Sequence, residues 1–90
     1  PLYEWLVVKA RESGLAGATV TKGIMGFGAN SRIHTSKILR LSEDLPVIIE
    51  IVDSKEKLEA FLREVDSVIE VGLATLEKAD VRFYRHKDPE

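Results

Sequence analysis

Residues 45–52 read LPVIIEIV, and the sequence DSKEKLEAFLREV follows directly at 53–65. The first stretch is almost continuously apolar and rich in β-branched residues, a composition typical of a strand. Pro46 stands near its beginning, where a missing backbone N–H costs least. We therefore expect a β-strand over 45–52, and we expect it to be the best-buried strand of its sheet.

The residues after this strand carry the signals of a helix start. Asp53 can accept a backbone hydrogen bond as an N-cap, and Glu56 stands three residues later, at the spacing of a capping box. Apolar residues then recur at helical spacing and predict one buried face. These residues are Leu58, Phe61, Leu62, Val65, Val68 and Ile69. Gly72 is expected to end the helix, because glycine tolerates a left-handed C-cap.

Another helix is predicted where the chain begins. Pro1 has the φ angle favoured in a first helical turn, and apolar residues follow at helical spacing. They are Leu2, Leu6, Val7 and Ala10. Gly14 or Gly17 is expected to end this helix. Because the chain opens at a helix start without an initiator Met, we expect a further segment to precede Pro1.

Short strands complete the pattern at 18–22 (ATVTK), 73–76 (LATL) and 81–84 (VRFY). The order is helix, strand, long loop, strand, helix, strand, which is βαββαβ with its first strand absent. We therefore predict a single α+β domain over residues 1–90, ferredoxin-like, with two helices on one face of an antiparallel sheet. The other face stays open, and a 90-residue domain buries only roughly 60 to 65% of its unfolded surface, so an oligomer is expected.

Residues 23–34 read GIMGFGANSRIH and hold three of the six glycines. About twenty residues separate Thr21 from Leu45, too many for a tight hairpin, and such long connections are usually functional or mobile. Glycines permit positive φ and leave backbone N–H groups uncovered, while nearby basic side chains supply positive charge. We interpret the stretch as a site for an anionic ligand rather than a hairpin, and expect residues 26–40 to be mobile without ligand.

The candidate ligand-binding residues combine this stretch with two arginines on or just past the last predicted strand. They are Gly26, Phe27, Gly28, Ser31, Arg32, His34, Arg40, Arg82 and Arg85. Glycine N–H groups can contact phosphate, and the guanidinium fork of Arg32 matches phosphate bidentately. Blander interpretations stay open: the glycines can serve turn geometry alone, the arginines can be solvated charges, and Met25 and Phe27 can fill a subunit interface.

The composition excludes several classes of function. Thirteen Lys and Arg against 15 Asp and Glu give a net charge of −2, which argues against general nucleic-acid binding. Cysteines are absent, and His34 and His86 are too few and too far apart for a metal site. Ser31, His34, Thr35 and Ser36 lack the spacing of a nucleophile and its base, so no enzyme is expected. Without a signal peptide or a long apolar run, a soluble cytoplasmic protein that does not span a membrane is expected.

Six motifs lie in order along the chain. They are PLYE at 1–4, GxxGATV at 14–20, GIMGFG at 23–28, SRIH at 31–34, LSxDLP at 41–46 and EIVD at 50–53. Together they resemble a family of unknown function that is related to the PII (GlnB-like) signalling proteins. Members of that family carry an N-terminal strand that this sequence lacks, and they are often encoded beside, or fused to, CrcB-type fluoride exporters.

The resemblance implies a homotrimeric PII-like regulatory protein with effector sites in the clefts between subunits. The long loop would correspond to the PII T-loop, which changes conformation when adenine nucleotides bind. PII proteins proper have a glycine-rich, Lys-containing phosphate loop after the second helix, whereas residues 72–78 here read GLATLEK. AMP or ADP is therefore favoured over ATP as the bound nucleotide, and no cofactor is required. The alternative is a ligand-free scaffolding trimer that docks on a membrane transporter.

Overall fold

The computed structural model describes residues 1–27, the backbone of residues 34–35, and residues 45–87. Along these residues, helices and strands follow one another in the order α1 (Leu2–Glu12), β1 (Ala18–Lys22), β2 (Met25–Gly26), β3 (His34–Thr35), β4 (Val47–Ile51) and α2 (Lys55–Val65). The predicted helices at the beginning of the chain and after the 45–52 strand are confirmed as α1 and α2, and the predicted strands at 18–22 and within 45–52 are confirmed as β1 and β4.

Helix α1 ends at a glycine in the left-handed conformation. Gly14 has φ +78°, and the N–H groups of Gly14 and Leu15 donate to the carbonyls of Arg11 and Ala10, each at 3.1 Å. This pair of bonds is the Schellman pattern, in which a residue with positive φ turns the chain away from the helix axis. The prediction that Gly14 or Gly17 ends the helix is therefore confirmed for Gly14. The turn also brings Leu15 back against the core.

Strands β1 and β4 pair in antiparallel fashion, with Ala18 opposite Ile51. The N–H of Gly23 donates to the carbonyl of Pro46 at 2.7 Å, which continues the same register beyond β1. The sheet therefore extends by one further pair at the end from which the long segment between β1 and β4 leaves.

Strand β4 is less buried than predicted. Ile49 and Ile51 pack against the core, but Ile48 points to the opposite face and is 51% exposed. Val47, at the beginning of the strand, is 37% exposed. Strand β1 also has two half-buried positions of five, so the prediction that β4 is the best-buried strand of its sheet is wrong. Both helices lie over one face of the sheet and leave the other face of β4 exposed.

Helix α2 starts one residue later than the sequence pattern predicts. The hydroxyl of Ser54 accepts the N–H of Lys57 at 3.3 Å, so Ser54 is the N-cap. Asp53 stands outside the helix, and the predicted capping box of Asp53 and Glu56 is wrong. The Asp53 carboxylate is used elsewhere, as described below.

Helix α2 also ends earlier than predicted. The N–H groups of Val68 and Ile69 both donate to the carbonyl of Val65, at 3.0 and 3.3 Å, and the chain leaves the helix in this turn. Gly72 has φ +148° but lies beyond the turn, so its predicted role as the helix terminator is wrong. Ile69 nevertheless reaches the core, because the turn carries it back towards Val65.

The core lies between the two helices and one face of the sheet. Its buried members are Leu6 and Ala10 of α1 and Phe61 and Val65 of α2. Partly buried side chains surround them: Leu15, Ala18, Ile49, Ile51 and Ile69. Alternate residues of a strand face the same side, so the sheet members of this set mark the face that both helices cover. The predicted placement of the helices is confirmed.

Two predicted strands are not formed in the described part of the chain. Residues 73–76 and 81–84 take part in no strand ladder, and their side chains are exposed. Apolar alternation predicted strands here, but a strand also needs a hydrogen-bonded neighbour, and no described residue provides one. The architecture is thus a small α+β arrangement of two helices on an antiparallel sheet, which is compatible with a ferredoxin-like fold.

Candidate functional site

The base of the long segment between β1 and β4 is a second, short ladder. Strand β2 pairs antiparallel with β3, with Met25 opposite Thr35 and Gly26 opposite His34. The expectation that this stretch is not a hairpin is therefore corrected: its two arms do pair. Seven residues, 27–33, separate the paired positions, so the connection is still longer than a tight turn. The ladder brings together the backbones of two predicted site residues, Gly26 and His34.

The predicted ligand-binding residues are described only in part. Four of them lie outside the described residues, namely Gly28, Ser31, Arg32 and Arg40. The predicted mobility of residues 26–40 also falls largely outside them. Phe27 is exposed next to β2, and His34 is described through its backbone. The candidate site therefore rests on the base of the segment and on the two C-terminal arginines.

Gly23 and Gly26 have a packing role that the sequence did not reveal. Neither has a positive φ, which among the described glycines belongs to Gly14 and Gly72. A Cβ atom at Gly23 would lie 2.7 Å from Cγ of Pro46, and a Cβ atom at Gly26 would lie 3.0 Å from it. The expected use of positive φ is wrong at both positions. Glycine is needed here because the proline ring occupies the space of a side chain.

Arg82 and Arg85 lie on the exposed C-terminal segment and have local partners. A guanidinium nitrogen of Arg82 lies 3.6 Å from a carboxylate oxygen of Asp80, with both side chains largely in solvent. The guanidinium of Arg85 lies 4.4 Å from the centre of the Phe83 ring, a cation–π contact. No hydrogen bond or ion pair in the described part of the chain joins either arginine to residues 23–27. Among the described residues, the two halves of the predicted site are therefore not joined.

A groove that the sequence did not predict lies beside the sheet. Its volume is about 630 Å³, and it is lined by residues 16–19, Glu50, Val52, Asp53, Val81 and Tyr84. The hydroxyl of Tyr84 donates to the carbonyl of Ala16 at 2.5 Å, which fastens the C-terminal segment to the connection between α1 and β1. These two residues are 68 positions apart, so no local motif marks the groove.

Asp53 gives one wall of this groove its charge. Its Oδ1 accepts the N–H of Ser54 at 2.7 Å, and its Oδ2 accepts the N–H of Ala16 at 2.9 Å. These bonds, that of Ser54 foremost, hold the pKa of the Asp53 carboxyl below its ordinary value. Glu50 also lines the groove. The groove therefore carries two negative charges beside its apolar side chains, and these charges repel an anion.

Metal binding, membrane insertion and nucleophilic catalysis have less support in the described residues. Across residues 1–27, 34–35 and 45–87, no group of three or more His, Asp or Glu side chains is placed to hold a metal ion. No helix in these ranges is both long enough and apolar enough to cross a bilayer. Of the side chains weighed as nucleophile or base, Ser31 and Ser36 lie outside the described residues, and Thr35 is described only through its backbone.

Comparison with known proteins places the chain in a family. Residues 1–81 match the profile of DUF190, described as "Uncharacterized ACR, COG1993". A UPF0166 protein of Aquifex aeolicus (strain VF5) is 42% identical over 83 residues, which cover 92% of this chain and 78% of that protein. A second UPF0166 protein of the same strain is 41% identical over 73 residues, covering 81% of this chain and 76% of its own length. A UPF0166 protein of Methanocaldococcus jannaschii is 40% identical over 68 residues, covering 76% and 62% respectively. With a family match over residues 1–81 and relatives at this level of identity, the chain belongs to the DUF190 family.

Proposed function

We propose that the protein is a PII-like regulatory homotrimer that binds an adenine nucleotide of the AMP or ADP class in the clefts between its subunits. The long segment between β1 and β4 then acts as a T-loop, whose conformation reports whether the nucleotide is bound. The ordered motifs along residues 1–53 support the relation to PII proteins. The architecture supports it as well, because two helices on one face of an antiparallel sheet are compatible with a ferredoxin-like fold.

The open face of the sheet is the observation that carries this proposal. Ile48 and Val52 are 51% and 54% exposed on the side away from the helices, and Val81 and Phe83 are exposed on the C-terminal segment. Burying apolar surface contributes about 25 cal/mol per Å², so covering this face favours association. A subunit with so small a core is expected to gain the missing burial from copies of itself.

The charge distribution favours the base of the long segment over the groove as the place for the phosphate. Glu50 and Asp53 make the groove unfavourable for an anion. The β2–β3 ladder, in contrast, holds the backbone of Gly26 opposite that of His34, at the start of the glycine- and arginine-containing stretch. Phosphate there can accept bonds from the backbone N–H of Gly26 and from the side chain of Arg32.

A neighbouring subunit completes the site. The described partners of Arg82 and Arg85 are Asp80 and Phe83 on the same C-terminal segment, and Arg82 extends into solvent. In the proposed trimer one of them reaches the cleft of the adjacent copy. Each charge-assisted hydrogen bond contributes roughly 1.5–3 kcal/mol, so several acting together reach micromolar affinity.

Sedimentation equilibrium and calorimetry test the proposal together. We expect three subunits per particle, and binding of AMP or ADP with a Kd on the order of micromolar. Arg82→Ala should weaken binding about tenfold, the loss of one such contact. Lys55→Ala is the matched control, since it removes a similarly exposed positive charge from the start of α2. A monomeric particle, or no binding of AMP, ADP, ATP or cyclic nucleotides at millimolar concentration, would refute it.

A second candidate function is supported by the apolar side chains around β2. Ile24, Met25 and Phe27 are 76%, 60% and 71% exposed, an arrangement that fits a docking surface for a protein partner. In this case the trimer is a scaffold that docks on a membrane transporter, and a CrcB-type exporter is the one that the resemblance names. Cosedimentation with vesicles that contain such an exporter, with empty vesicles as the control, tests it. Phe27→Ser should abolish specific cosedimentation without affecting the oligomeric state.

A further inference from the structure

Pro46 holds the two ends of the long segment together. The carbonyl of Pro46 accepts the N–H of Gly23 at 2.7 Å, one pair beyond β1. Three residues further on, Gly26 also lies against the Pro46 ring, since a Cβ atom there would be 3.0 Å from Cγ. Leu45, next to Pro46, is buried, so the ring is carried on an anchored piece of backbone. The chain therefore leaves the sheet and returns to it at the same proline.

The fit around this proline depends on the absence of two Cβ atoms. At Gly23 the nearest Pro46 atom to an added Cβ is the ring carbon Cγ at 2.7 Å, closer than real Cβ contacts come. The ring is rigid and cannot swing aside as a long side chain does. After Cγ, the nearest atoms are the Pro46 carbonyl oxygen at 3.5 Å and Cβ at 3.6 Å, which are ordinary contacts. A side chain at position 23 would thus clash sterically with Cγ of the Pro46 ring and with no other Pro46 atom.

We propose that Pro46, seated in the slot made by Gly23 and Gly26, is the positioning residue that couples the long segment to the β1–β4 sheet. The ring fixes the direction in which β2 leaves the sheet, and hence the position of the Gly26 backbone opposite His34. A ligand held at the base of the segment then acts on the sheet through this contact. The consequence for ligand affinity rests on the proposed function, whereas the mechanical coupling does not.

A double-mutant cycle between positions 23 and 46 tests the coupling. Gly23→Ala should displace the ring and raise the amide-exchange rate at position 23 about tenfold, because its bond to Pro46 is weakened. Pro46→Ala removes the ring carbons, so Gly23→Ala in that background should change the exchange rate less than about twofold. Gly17→Ala, where an added Cβ meets nothing within 4 Å, is the control and should leave exchange at position 23 unchanged.

The same four variants report on the ligand. AMP affinity should fall about tenfold in Gly23→Ala and also in Pro46→Ala, which lacks the positioning ring, and the double variant should bind no more weakly than Pro46→Ala alone, a non-additivity that two independent losses do not produce. If Gly23→Ala leaves exchange at position 23 unchanged, or if its effect is as large in the Pro46→Ala background as in the wild type, the coupling is refuted. If exchange shows the expected non-additivity while neither the wild type nor any variant binds AMP, the coupling stands and the proposed nucleotide function fails.

Discussion

The carboxylate of Asp53 accepts the backbone N–H of Ala16 at 2.9 Å, so the residue before the N-cap of α2 is fastened to the connection between α1 and β1. The other oxygen of the same carboxylate accepts the N–H of Ser54. The Asp53 side chain therefore links the start of α2 to the connection between α1 and β1, at one end of the sheet. Its protonation state decides whether this junction holds, because a protonated carboxyl is a weaker acceptor.

Asp53→Asn is expected to destabilise the fold near neutral pH and to matter less in acid. The pKa of Asp53 in the folded protein lies below the ordinary value of 3.8, so the stabilisation is fully present above that value. It is lost as the pH falls through the folded pKa. The difference in Tm between wild type and Asp53→Asn should therefore shrink below about pH 4. Glu70→Gln, an exposed change beyond α2, is the control. A Tm difference between wild type and Asp53→Asn that stays the same at every pH would contradict the prediction.

Glu64 should stabilise the contact between the two helices through its charge. Its Oε1 lies 3.1 Å from the Nζ of Lys9, and its Oε2 accepts the hydroxyl of Ser13 at 3.2 Å. Since both charged side chains are partly exposed, we expect a coupling of only about 0.2–1 kcal/mol between Glu64→Gln and Lys9→Met, measured by urea unfolding. The coupling should fall at high salt.

The ion pair of Lys55 and Glu59, within α2 at 3.9 Å, is the comparison for that cycle. Its coupling should be smaller than that of Lys9 and Glu64, because its charged atoms are farther apart, 3.9 Å against 3.1 Å, and Lys55 is more exposed than Lys9. A coupling of zero for Lys9 and Glu64 would mean that the contact between the helices gains nothing from this charge pair.

Gly14→Ala and Gly17→Ala should have opposite effects on stability. Gly14 has φ +78°, where an L side chain costs about 1–2 kcal/mol, so Gly14→Ala should lower the free energy of unfolding by that amount. Gly17 has no such constraint, and an added Cβ there meets open space. Gly17→Ala should be neutral or stabilise by up to about 1 kcal/mol, since alanine restricts the unfolded chain. If both variants lost a similar free energy of unfolding, the positive φ of Gly14 in the Schellman turn would not explain the loss in Gly14→Ala.

Ile48→Lys should separate the proposed trimer without unfolding the subunit. Ile48 is 51% exposed on the open sheet face, and a charge there cannot be covered by a neighbour without a large desolvation cost. Val8→Lys is the matched control, because Val8 is similarly exposed, at 55%, but lies on α1. Light scattering should show smaller particles for Ile48→Lys alone, with helical circular dichroism preserved in both. An unchanged particle size for Ile48→Lys would place the subunit contacts elsewhere.

Local patterns predicted the elements whose partners are close in sequence or are set by burial. The helical stripe that contains Phe61 and Val65 and the alternation in residues 18–22 were sufficient, because each indicates directly which face is buried. The same patterns failed at residues 81–84, where alternation is present but no strand among the described residues lies beside them. Sequence periodicity indicates which face of a strand is buried, but it does not indicate whether another strand pairs with its edge.

The candidate site was harder to predict, because its geometry depends on distant contacts. The glycines at 23 and 26 were interpreted by their conformational freedom, whereas the structure uses them as empty space for Pro46. The groove beside Asp53 left no trace in the sequence, because it joins positions 16, 53 and 84. The predicted contacts of Gly28, Ser31, Arg32 and Arg40 stay predictions, as does the identity of the ligand.

The hydrogen bond from Tyr84 to Ala16 makes residues 66–83 a tether with two fixed ends. All of these residues except Ile69 are exposed, and the tether starts from the anchored end of α2. A protease that cuts once near Leu73 should therefore leave both fragments associated until Tyr84 detaches. Tyr84→Phe removes that attachment and should convert the nicked protein into separable fragments. Limited proteolysis followed by native mass spectrometry thus measures how much the Tyr84 hydroxyl contributes to holding the two fragments together.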